Sequence, residues 1–110
     1  MNSFNPYKVT AEITKTFSAI CGYIKNAENV EDMKKQGSRA IGFIEGCHAM
    51  TSGMICFANN DFTGDFSALL DSMAADVYQA CIDKALEFGR DDLFWKYAEK
   101  RDEYSEMARD

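Results

Sequence analysis

The sequence predicts an all-α fold, a compact bundle of about four helices with no β-sheet. Three observations lead there. Apolar residues recur at three- and four-residue steps through the long segments, and cap residues stand where those stripes begin and end. No stretch sustains two-residue alternation or carries a hairpin signal. At 110 residues the chain makes a single all-α domain, 1–110, large enough to bury one core. An apolar content of 46%, with eight Phe, five Tyr and one Trp, excludes a disordered chain.

The first helix is predicted over 6–27. Asn5 followed by Pro6 fits an N-cap with proline at the first helical position, and Ile13, Phe17, Ile20 and Ile24 form its apolar stripe. Asn29 with Asp32 three residues on resembles a capping box and opens a second helix over 30–58, with a break near Gly53 as a variant. Asn59-Asn60-Asp61-Phe62-Thr63-Gly64 is built from turn formers and reads as a loop. Asp65 then caps a third helix over 65–88, whose stripe is Phe66, Leu70, Met73, Val77, Cys81 and Phe88. Gly89 suits the position after a helix end, and Asp91 caps a fourth helix over 91–109 with Leu93, Tyr97, Tyr104 and Ala108 inward. The second or third helix is expected at the centre.

Charge is distributed unevenly. Residues 59–110 hold thirteen Asp/Glu and six Lys/Arg, a net of −7, while 1–58 hold five and six, a net of +1; together these give −6. Such an acidic half repels nucleic acid and attracts basic partners. In the fourth helix Asp92, Glu99, Glu103, Glu106 and Asp110 fall within about 40° of one line at about 100° per residue. The third helix adds Asp76, Asp83 and Glu87 on its polar side. These rows read either as a solvated face or as a docking surface. They are sparser than the phosphates of a duplex, so nucleic-acid mimicry is permitted but not indicated. Trp95 projects off the core stripe, as an interface anchor or as a cover for the first helix.

In the second helix Gly42, Gly46, Ala49 and Gly53 share one nearly bare face. Glycine costs a helix interior about 0.5–1 kcal/mol relative to alanine. Close packing against a neighbouring helix, of this chain or of a second copy in a homodimer, is the expected explanation. Glu45 and His48 have the Glu-x-x-His spacing of carboxylate-bridged metal bundles, but the chain holds a single histidine. His48 is therefore read as a hydrogen-bonded core residue, with Glu45 and His48 kept as the metal or small-ligand candidates of an oligomeric alternative.

Cys21, Cys47, Cys56 and Cys81 have neither metal-site nor disulfide-scaffold spacing and read as reduced, buried thiols. Cys47 and His48 point about 100° apart on a helix, which disfavours a thiol nucleophile. Ala40–Ala58 is apolar enough to consider as a membrane span, but Glu45 lies in it and no basic anchor follows. The N-terminus carries no secretory pattern, so a cytoplasmic protein is expected. No residue pattern calls for a catalytic site or a cofactor. The leading expectation is a non-enzymatic inhibitor or adaptor that occupies a protein partner with a basic surface, of the kind found among phage or mobile-element accessory proteins. No direct nucleic-acid or membrane binding is expected.

Overall fold

A computed structural model of the chain describes the backbone of residues 6–54 and 60–109, and the side chains of 8–50 and 65–109. It contains four helices: α1 (Pro6–Lys25), α2 (Val30–Met54), α3 (Asn60–Glu87) and α4 (Asp91–Arg109). There is no strand among the described residues. The fold is an all-α four-helix bundle, 51 × 28 × 16 Å along its principal axes.

The punctuation follows local chemistry. At the start of α2 the Asn29 side-chain oxygen accepts the Asp32 amide at 2.8 Å, which satisfies one of the helix's orphan donors. The Asp32 carboxylate, too short to complete the capping box, accepts instead from Gln36 at 3.3 Å. The end of α3 is a Schellman motif: Arg90 N–H donates to the Ala85 carbonyl at 2.8 Å and Gly89 N–H to Leu86 at 3.1 Å. Gly89 takes a φ of +69°, a conformation that costs a residue without a Cβ nothing.

Two boundaries differ from the sequence expectation. Asn60–Gly64 belongs to α3 and is not a loop, so Asp65 lies inside the helix and caps nothing. Turn-forming residues are tolerated there because the amides of a first helical turn have no intrahelical partner in any case. The α4 cap also moves. The Arg90 carbonyl receives the Phe94 amide at 3.1 Å, so Asp91 stands in the first turn instead of ahead of it. The backbone of α2 stays helical through Gly53 to Met54, without the break considered there. The expected cap Asn5, the rest of the second helix to residue 58, Asn59 and Cys56 lie outside the described residues.

The centre of the bundle is α3, which packs against each of the other three helices. Accordingly it is buried on several sides: Phe66, Leu70, Met73, Ala74, Val77, Cys81 and Ala85 join the core, into which α1 sends Phe17 and Ile24 and α2 sends Met33 and Ile44. The α2–α3 crossing is close at Gly37, where an added Cβ would stand 3.1 Å from Cys81 Sγ. His48–Asp71 and Gly37–Cys81 together set α2 and α3 antiparallel, as Arg101–Gln79 and Tyr104–Tyr78 do for α3 and α4. Among the described residues α4 packs on α3 alone, and its Cα atoms come within 8 Å of neither α1 nor α2. Open grooves are left on either side of α3.

Candidate functional site

The outer face of α4 follows from its inner one. Leu93 is buried, and Phe94, Tyr97 and Tyr104 pack against the core. At about 100° per residue these inner positions force Asp91, Trp95, Glu99, Asp102 and Glu106 onto the opposite side. All five are exposed. Trp95 is 71% exposed, touching Phe94 edge-on at a ring separation of 5.0 Å. It covers no part of α1, since α1 and α4 do not meet among the described residues. Of the two readings open in the sequence, burial over the first helix is thereby removed.

The acidic residues do not form a single unpaired row. Arg90 grips Asp92 with two parallel hydrogen bonds of 3.0 Å. This guanidinium, with the Leu93 amide assisting, holds the Asp92 carboxyl down at about 2. Glu103 pairs with Lys100 at 3.6 Å, Asp102 with Arg101 at 3.1 Å, and Glu87 with the largely buried Lys84 at 3.0 Å. Glu99 and Glu106, within about 40° of Trp95 in projection, have no ion-pair partner among the described residues. Asp76 and Asp83 lie elsewhere, in a groove between α1 and α3 that Cys21 and Lys25 also line and no α4 residue does. Asp83 there accepts from Gln79, which in turn accepts from Arg101 at 2.9 Å. Asp110 lies outside the described residues. The acidic candidates thus divide into an α4 face around Trp95 and an α1–α3 groove.

Among the described residues nothing packs on the glycine face of α2. Gly42, Gly46 and Ala49 are exposed, and a Cβ added at Gly42 or Gly46 would meet nothing within 4 Å. Met33, Gly37, Ala40, Ile44 and Cys47 take the core-facing side, which puts the bare face nearly opposite. Among the described residues no intrachain neighbour covers this face, and the close-approach glycine is Gly37. The surroundings of Gly53 lie outside the described residues.

His48 is half-buried, and its Nε2 lies 3.2 Å from the Asp71 Oδ1 across the α2–α3 interface. Its carboxylate neighbour is thus Asp71, which sequence reasoning missed, and not Glu45, which is exposed. An aspartate following Leu70 was the available signal, because it stands on the flank of the α3 core stripe. Among the described side chains no three His, Cys, Asp or Glu converge as a metal site would require. Cys21, Cys47 and Cys81 are buried and form no disulfide with one another. Burial pushes all three thiols up, Cys81 to about 12, so none presents a thiolate near neutral pH.

No described helix is long and apolar enough to cross a membrane. No family model, curated protein or solved structure matches this chain.

Proposed function

We propose that this protein is a non-enzymatic binding module, an inhibitor or adaptor, that engages a protein partner with a basic surface through the outer face of α4. The observation that carries this reading is Trp95, 71% exposed, one turn from Glu99 and on the same helix face as Glu106, two carboxylates with no ion-pair partner among the described residues. Tryptophan buries about 150–250 Å², so covering the exposed part would contribute roughly 3–4 kcal/mol before the costs of association. An aromatic anchor rimmed by carboxylates matches a partner pocket rimmed by lysine or arginine. The carboxylates give direction and encounter rate, and the indole gives residence.

The test uses a photo-crosslinking residue at position 95 in the native host, followed by purified-component binding. Trp95→Ala and Glu99→Lys/Glu106→Lys should each weaken the complex by at least about tenfold, corresponding to about 1.4 kcal/mol. Control reversals at the exposed Glu28 and Glu31 should leave it intact. Because Trp95 is the sole tryptophan, its emission should shift to the blue on binding. A partner that binds both α4 variants as tightly as the wild type would remove this face from the mechanism.

A further inference from the structure

The second groove lies between α2 and α4 with α3 as its floor, and its chemistry runs against the acidic character of the chain. Its volume is about 420 Å³, within the range of small-molecule sites. Lys34, Lys96 and Lys100 line it, with Glu45 as the one carboxylate among its lining residues. Only Lys100 of the three lysines has an ion-pair partner, Glu103, among the described residues. Tyr78 and Tyr97 also line the groove, their ring centroids 6.0 Å apart and tilted by 33°. Tyr104 stacks on Tyr78 behind them at 5.8 Å. Partial burial pushes the Tyr78 and Tyr97 phenols above their usual range. Both are therefore protonated near neutral pH where they line the groove. At the α2 wall, Gly42 leaves open space where a side chain would stand.

We propose that this groove binds a small organic phosphate bearing a planar ring, of the size and chemistry of a nucleoside monophosphate. Three ammonium groups supply the charge that a phosphate dianion needs, and lysine suits that group as a point charge. The tyrosine pair offers the ring a face for offset stacking and a hydroxyl for its polar edge. The open side at Gly42 admits the width of a sugar. This site is separate from the α4 outer face, since Trp95, Glu99 and Glu106 do not line it. It stands or falls independently of the protein-binding reading.

The experiment titrates AMP, adenosine and inorganic phosphate into the intact protein by calorimetry, with two-dimensional NMR following the Tyr97 and Lys96 amides. AMP should bind saturably, and at least about tenfold more tightly than inorganic phosphate or adenosine. Lys96→Ala/Lys100→Ala should weaken AMP binding by at least about tenfold, while these exposed positions leave the fold intact by circular dichroism. Gly42→Leu should fill the groove and abolish binding while keeping or raising the thermal midpoint, because it replaces glycine on an open helix face. Absence of saturable AMP binding overturns the proposal, as does AMP binding unchanged in both variants. Inorganic phosphate binding as tightly as AMP removes the ring, and preferential binding of an oligo(dA) strand would show a nucleic-acid groove in its place.

Discussion

Replacing Gly37 with alanine tests the α2–α3 approach on which the bundle's centre depends. The new Cβ would lie 3.1 Å from Cys81 Sγ, where carbon contacts normally settle at about 3.5–4.0 Å. One group must therefore yield by roughly half an ångström. Cys81 is 2% exposed and held between helices, so it has little room to turn. Alanine gains about 1 kcal/mol of helix propensity, whereas overpacking a filled core costs about 1–3 kcal/mol. Gly37→Ala should therefore lose up to about 2 kcal/mol. Cys81→Ala removes the sulfur, and against that background the same glycine substitution should gain about 1 kcal/mol. Urea unfolding of the four proteins, followed by far-UV circular dichroism, gives the coupling between the two sites, expected at about 1–3 kcal/mol. If Gly37→Ala raises the midpoint equally in both backgrounds, the helices do not approach as described and the reasoning fails.

Gly46 should behave in the opposite way: with open space around it, Gly46→Ala should stabilise by about 0.5–1 kcal/mol in the same urea assay. A lowered midpoint would mean that another surface covers this face in solution. Acid titration should isolate Asp92, whose folded carboxyl at about 2 lies below its ordinary value of 3.8. Its contribution is complete above the unfolded value and is lost as pH falls through about 2, so the stability gap between wild type and Asp92→Asn should close over that window. A gap that persists unchanged below about pH 2 would show that Arg90 does not hold this carboxylate.

The helices were legible because amphipathic period and caps agree. Ile13, Phe17 and Ile24 are buried where their spacing placed them, and Asn29 and Gly89 punctuate as their chemistry requires. The Asn60–Gly64 segment misled because turn formers and first-turn residues draw on the same types, and sequence alone does not say on which side of the cap they fall. Trp95 was legible as off the core stripe, but its exposure depends on α4 meeting only one helix, a tertiary fact. The bare α2 face misled for a related reason. Glycine marks a close approach only when it points at a neighbour, and the core phase selected Gly37 over Gly42 and Gly46. Lys96 and Lys100 stand among the carboxylates of α4. Their i,i+4 spacing on the flank nearest Tyr97 was the clue to a wall of a second groove.

The dependence of α4 on α3 alone also orders how the chain comes together. Residues 88–90 are the whole connection between the two helices, and closure entropy grows with loop length, so this hairpin closes at small entropic cost. Among the described residues, every backbone approach that α4 makes to another helix is available to it without α1 or α2. The opposite holds for the earlier half of the chain. Phe17, Ile24, Met33 and Ile44 are synthesised first, yet the ridge of Leu70, Val77 and Cys81 that completes their burial emerges later from the ribosome. On a chain made at about 5–20 residues per second, that leaves an interval of seconds in which α1 and α2 await the α3 ridge. The half of the molecule that looks least distinctive by charge is thus the half whose burial is completed last.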